Sequence, residues 1–226
     1  MKVSVVVPVF NEEKHIEKCL DSLMNQEKKP DEIIIVNNNS TDRTAEIVKK
    51  YKKVTLILEK QQGIIPARNA GFDLASGDII ARCDGDTIVP SNFIKNIEAD
   101  FAKNKSVVGV SMPITFYDMP IVKRLTSLYY PYMYIPKLIL GYYTLVGPGM
   151  AVRKSAWKKI RNELCTDPEL VHEDVDISLH IVKYGKIFHD KNILVKASGR
   201  RAMFNPTSFF GEYTVRFFNM LKTHSF

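Results

Sequence analysis

Four β-branched runs alternate with three segments of helical period inside the first hundred residues, and this order limits the possible folds more than any other feature of the chain. Val3-Ser4-Val5-Val6-Val7 leads into Glu12 to Asn25, where Ile16, Cys19, Leu20 and Leu23 recur at helical spacing. Glu32-Ile33-Ile34-Ile35-Val36 reads as a buried strand, bounded by Asn37-Asn38-Asn39-Ser40. Ser40 or Thr41 then caps a helix whose apolar face carries Ala45, Ile47 and Val48. Val54 to Leu58 is a third strand. Pro66 opens a short helix through Ala75, and Gly77 breaks it before the fourth strand begins at Asp78-Ile79-Ile80-Ala81. Strands in this order need right-handed crossovers and form a mostly parallel sheet with helices on both faces. The fold class is α/β.

After Pro90 the spacing predicts a helix to about Asn104 and a strand from Val107 to Met112. The pattern then changes. Six of the ten tyrosines lie between Leu128 and Tyr143, where Pro131 and Pro136 interrupt any long helix. A boundary near Pro113 divides residues 1–112 from 113–226 within one continuous domain. The second half is predicted to hold a helix from Asp174 to Tyr184, a strand from Ile193 to Ala197 and a final amphipathic helix from Ser208 to Leu221.

Composition narrows the class further. At 226 residues, 45% hydrophobic and 25% charged, the chain is no disordered tail, collagen-like repeat or disulfide miniprotein. The net charge of +7 points to anionic partners, and it gathers at one end. From Lys183 onward there are eight Lys or Arg against two Asp or Glu. Cys19, Cys83 and Cys165 are far apart and unpaired in spacing, which suggests a reducing, cytoplasmic compartment. No secretory hydrophobic region is evident at the start. The longest uncharged stretch, Leu138 to Val152, falls short of the roughly 18 apolar residues of a membrane span. A soluble or peripheral protein is expected.

In an open parallel sheet, ligands bind beyond the carboxyl ends of the strands. Polar residues gather at three such exits: Pro8 to Glu13, Asn37 to Asp42, and Asp84-Gly85-Asp86-Thr87. Two carboxylates separated by one residue can share a hard divalent cation, although Asp-Gly is also a common turn dipeptide. Glu173-Asp174 stands before a helix, where carboxylates also serve as plain N-terminal residues favoured by the dipole. The five histidines show no metal-binding spacing, and the tyrosine-rich stretch fits subdomain packing.

Taken in order, these segments closely resemble the family 2 inverting glycosyltransferases with the GT-A fold. The resemblance rests on Pro8-Val9-Phe10-Asn11-Glu12, Val36 to Thr44, Gly63 to Gly71, Ala75 to Asp78, Asp84-Gly85-Asp86 and His172-Glu173-Asp174, and it covers about residues 2 to 200. It implies that residues 1–112 bind a nucleotide-sugar donor and that 113–226 face the acceptor. Pro8, Phe10 and Glu12 would hold the base and ribose, with Asn38 at the pyrimidine edge and Asp42 in the same nucleotide-sugar site. Arg68 would lie near the phosphates or the base. Asp84 and Asp86 would hold Mn²⁺ or Mg²⁺, with Asp86 the direct ligand, and Asp174 would be the catalytic base. Gly147, Gly149 and Met150, together with Glu173, would meet the acceptor.

Three departures from the family pattern stand out. Asn37 and Asn38 replace an aspartate often found in the first base-binding loop. A metal-binding histidine expected near Lys196 to Ser198 is absent, and Arg200 and Arg201 follow as candidates for the diphosphate. The only tryptophan, Trp157, precedes Asp174, so the signature of processive synthases is missing and single-sugar transfer is expected. The acceptor would be a glycan or a lipid-linked hydroxyl, with no nucleic acid partner. The basic C-terminal end, with Phe210, Phe217 and Leu221 on one helical face, suggests peripheral contact with an anionic membrane. A non-catalytic nucleotide-sugar or carbohydrate-binding relative of the same fold is the alternative function. A receiver-like domain would be about half as long, and a nucleotidyltransferase usually has a glycine-rich basic loop where Pro8 to Glu13 stand.

Overall fold

Every residue of the Val3–Val9 strand is buried, which sets it in the middle of a sheet covered on both faces. The structure is a computed structural model that describes residues 1–119, 136–200, 215–217 and 219–220. Its elements begin with β1 (Val3–Val9), α1 (Ile16–Met24), β2 (Glu32–Asn37), α2 (Thr44–Lys49) and β3 (Thr55–Leu58). There follow α3 (Ile64–Leu74), β4 (Ile79–Arg82), α4 (Phe93–Lys103), β5 (Val107–Ser111) and β6 (Ile114–Phe116). The rest comprises β7 (Met150–Arg153), α5 (Lys154–Ile160), α6 (Glu173–Ile181), a 3₁₀ turn at Val182–Tyr184, β8 (Lys186–His189) and β9 (Val195–Ala197).

Seven strands form one sheet in the order β3-β2-β1-β4-β7-β5-β8. β7 runs against its neighbours β4 and β5, and the other pairings in this sheet are parallel. The mostly parallel α/β architecture expected from the alternation is present. β7 and β8 come from beyond Pro113 yet pair with strands from before it, so the two halves share a single sheet.

Alternation along β1 sends Val3, Val5, Val7 and Val9 to one face, against Ile16, Leu20 and Leu23 of α1 and Phe93, Ile97 and Phe101 of α4. Val6, Ile34 and Val36 face the other way, toward Phe72 of α3, Trp157 and Ile160 of α5, and Ile177 of α6. Fully burying one such side chain contributes about 1.5–3 kcal/mol. Helix α3 lies close on the sheet because Gly71 has no side chain; a Cβ there would collide with Val6 and Val36. Phe72 meets Trp157 edge to face at 5.0 Å, and the indole N–H donates to Asp73 at 2.8 Å.

Several boundaries differ from the sequence reading. Helix α1 starts at Ile16 rather than Glu12, because the Glu12 and Glu13 amides are drawn into a loop by Thr44 Oγ1 (2.8 Å) and Asp42 Oδ2 (3.0 Å). The strand expected over Val107 to Met112 ends at Ser111, and the helix expected from Asp174 to Tyr184 becomes α6 and the 3₁₀ turn. Strands β7 and β8 and helix α5 are too short for periodicity to reveal.

A second, two-stranded sheet pairs β6 with β9, and a bridge between Ile88 and Lys196 sets the chain after β9 beside the Asp84–Thr87 turn. Tyr129 to Tyr134, Phe210, Leu221 and Arg201 lie outside the described residues. Of the expected C-terminal helix, 215–217 and 219–220 are described and helical. Phe217, assigned above to a bilayer-facing stripe, instead packs inward with Met220 against Ile65, Val171, Val175 and Leu179. Among the described residues, no helix is long and apolar enough to cross a membrane.

Candidate active site

Strands β1, β2 and β4 end at one edge of the sheet, and β7 begins there because it runs the opposite way. Arg82, the last residue of β4, is the register partner of Met150, the first of β7. The loop before β7 therefore arrives next to the Asp84 turn. A cavity of about 770 Å³ opens at this edge, large enough for a nucleotide-sized ligand. Pro8, Phe10, Glu12, Asn38, Arg82, Asp84, Asp86, Gly147, Glu173, Asp174 and Arg200 all line it.

Arg82 is the centre of the charge network, and sequence reasoning missed it. Its guanidinium, only 3% exposed, bonds Glu173 Oε1, Asp174 Oδ1 at 3.0 Å and Asp84 Oδ1 at 3.1 Å. The signal available was a cation at the exit of a central buried strand, where only a buried carboxylate partner can make it tolerable. Arg68 does not reach the cavity as expected. It is buried beneath it and donates to Glu173 Oε2 at 2.8 Å, so it braces the acid rather than facing a donor.

Glu173, expected at the acceptor, is on the cavity wall but is held by two guanidiniums. Burial opposes its ionisation, yet Arg82 and Arg68 override that and hold its pKa down to about 2. Asp174 behaves oppositely. Burial, and then the neighbouring Glu173 carboxylate, push it well above the usual carboxylate range against the pull of Arg82. Its second oxygen accepts the Gly147 amide at 2.7 Å. A Cβ at that position would lie 2.7 Å from Arg82 Nη2 and 3.1 Å from Asp174 Oδ2, so a larger residue would have to push on the charge network. Burial lowers the adjacent His172 to about 4, so it is neutral at physiological pH.

A second cluster lies across the cavity. Arg200 Nη2 bonds Glu12 Oε1 and Asp86 Oδ2, the latter at 3.2 Å. Gly85 sits tightly between the two aspartates, where a Cβ would come within 2.9 Å of Glu12 and Val9. Among the described residues no group of three or more His, Cys, Asp or Glu is placed to hold a metal ion. Two carboxylates on one turn nevertheless fit Mg²⁺ or Mn²⁺, which take hard oxygen ligands and fill the remaining positions with water and phosphate oxygens.

The remaining expected residues divide. Asn38 lines the cavity, but its amide is engaged by the wall: Nδ2 donates to Glu59 O at 3.0 Å and Gln61 O at 2.7 Å, and Oδ1 accepts from Gly63 at 2.7 Å. The amide hydrogens expected at a pyrimidine edge instead shape the loop. Asp42 lies off the cavity wall and ties two loops together through Glu13 and Thr44. Gly149 and Met150 also lie off it: Gly149 N–H closes a turn on Val146 at 2.9 Å, and Met150 is core.

The mostly parallel sheet, with its helices on both faces, has the GT-A fold of glycosyltransferases. Solved structures share that fold. The mannosyltransferase PcManGT from Pyrobaculum calidifontis, in complex with GDP-Man and Mn²⁺, matches 99% of this chain and 64% of its own at TM-score 0.75 and 19% identity. Glucosyl-3-phosphoglycerate synthase from Mycobacterium tuberculosis, with Mn²⁺, UDP and phosphoglyceric acid, matches 99% and 78% at TM-score 0.71 and 19% identity. In sequence, the family model of Glycosyl transferase family 2 matches residues 4–161, more than half of the chain, and the protein belongs to that family. The uncharacterized glycosyltransferase EpsJ of Bacillus subtilis is 37% identical over 112 residues, 47% of this chain and 33% of EpsJ. In eight curated relatives that it matches, the matched stretch makes up between 12% and 40% of the relative's length.

Proposed function

We propose that the protein moves a single sugar from a nucleotide-sugar donor, preferably a UDP-sugar, to a hydroxyl of a glycan or lipid-linked acceptor, with inversion at the anomeric carbon. The observation that carries this reading is Asp174: a carboxyl on the cavity wall, fixed in place by Arg82 and Gly147. Each of its oxygens keeps a lone pair beyond the bond it accepts. Asp174 takes the acceptor's hydroxyl proton as that oxygen attacks the anomeric carbon. The bond from that carbon to the diphosphate breaks on the opposite face, and one displacement inverts the centre. Asp174 acts in its ionised form, which the Arg82 and Gly147 bonds stabilise, on a proton that the alcohol releases only as its new bond forms. Glu173 stays ionised and keeps Arg82 and Arg68 in place, so Asp174 does not swing away.

Pro8, Phe10 and Glu12 form the wall proposed for base and ribose. Asp84 and Asp86 would hold Mn²⁺ or Mg²⁺, which when bound supplies charge neutralisation for the diphosphate. Mn²⁺ in complexes of two proteins of the same fold supports this assignment. We place the protein in the cytoplasm, in peripheral contact with the inner face of the cell membrane, on the strength of its basic C-terminal end. The reading is tested by thermal shift against UDP-, GDP- and TDP-sugars with Mn²⁺. A UDP-sugar should stabilise the protein most, and no shift with any nucleotide sugar would refute it.

A further inference from the structure

The cation between Glu12 and Asp86 is the protein's own. We propose that the Arg200 guanidinium is an internal stand-in for the divalent ion: it holds the acidic turn against free metal and gives way when the ion arrives with a nucleoside diphosphate. The proposal rests on the donor-site reading above.

Three observations carry it. First, Arg200 Nη2 engages Glu12 Oε1 and Asp86 Oδ2 together, so one positive group already balances carboxylates from two strand exits. A guanidinium is charged at every pH that the protein meets, so this pairing is ionic. Second, the backbone that carries Arg200 is pinned. Ser198 Oγ donates to Asp118 Oδ2 at 2.5 Å, the Gly199 amide to Asp118 Oδ1 at 2.6 Å, and the Arg200 amide to Ser198 Oγ at 3.3 Å. Upstream, Ile88 and Lys196 exchange backbone bonds of 2.7 and 3.0 Å. Release of the turn is thus a movement of one long side chain on a fixed base. Third, Asp84 on the same turn already accepts from Arg82 at 3.1 Å, so a free dication would meet guanidiniums at both aspartates.

Like charges so close repel strongly in a partly buried site. A dication on Asp86 has to displace Arg200 and leave it without that anion. A diphosphate changes the balance, because its oxygens offer the planar guanidinium a new bidentate anionic partner. Metal and nucleotide then favour each other, and the coupling must be reciprocal.

The test is titration of Mn²⁺ followed by electron paramagnetic resonance of the free ion, with and without UDP, on wild type, Arg200→Gln and Arg200→Lys. In the wild type, Mn²⁺ alone should bind weakly, and UDP and Mn²⁺ should tighten each other by the same factor, on the order of tenfold. In Arg200→Gln, Mn²⁺ alone should bind on the order of tenfold more tightly, and the gain from UDP should shrink. Arg200→Lys keeps the charge, so it should still bind Mn²⁺ alone weakly. Independent binding of UDP and Mn²⁺ to the wild type, or equal or weaker Mn²⁺ binding in Arg200→Gln, would overturn the proposal. If UDP bound but carried no Mn²⁺ with it, the proposal would fall and the donor site would stand. If UDP bound to neither form, the donor reading itself would fail.

Discussion

Removing the Arg82 guanidinium would leave Asp84, Glu173 and Asp174 facing one another at the cavity floor, with Arg68 still on Glu173. Breaking a buried ion pair from one side costs about 3–5 kcal/mol, because the orphaned charge stays behind. Arg82→Met should lose about that much stability to urea near neutral pH, and less under acidic conditions where the carboxylates take up protons. A loss under about 1 kcal/mol at both pH values would show that the cluster is not held this way. The acids of this site were legible in sequence because they follow strands or open a helix, where ligands and caps are expected. Their partners were not. Arg68 and Glu173 are 105 residues apart and Arg82 and Asp174 are 92 apart, and no local pattern signals which cation meets which acid. Asn38 shows the reverse difficulty: a polar residue at a strand exit looks the same whether it reads a base or ties down a loop.

Between elements, another buried acid pair makes stability depend on pH. Asp100 on α4 lies beside Asp190, just past β8; burial first, then the Asp190 carboxylate, raise its pKa from 3.8 to about 7. The folded protein therefore binds more protons than the unfolded chain between those values. Stability is full below the lower pKa and is lost as pH rises through the upper one. In Asp100→Asn the gap in Tm between about pH 5 and about pH 8 should narrow, and an unchanged gap would rule the pair out as its source. The early elements were readable because β1, β2 and β4 are long or uniformly buried and their helices carry clear apolar faces. β7 was not, although it positions Gly147 against Asp174. It has four residues, and its place between β4 and β5 is a tertiary pairing that no run of residues encodes.

For the whole molecule, the alternation of strands and helices was enough to give the α/β class and the edge where the cavity opens. The arrangement of the second half was not legible, because its strands join a sheet built by the first. Charge is the other global property. With eight Lys or Arg against two Asp or Glu from Lys183 onward, binding to vesicles should rise with anionic lipid content and fall with salt. Since Phe217 is packed inward, that binding should be electrostatic; co-sedimentation indifferent to lipid charge would contradict it. The most direct measurement concerns Asp174, where the fold, the charge network and the proposed chemistry meet. Asp174→Asn keeps the shape and removes the base, and it can be followed by calorimetry of a UDP-sugar with Mn²⁺ alongside the rate of sugar transfer. Donor affinity should stay within about twofold while transfer falls by about 10²–10⁴-fold. Donor binding lost together with transfer, or transfer undiminished, would show that Asp174 is not the base.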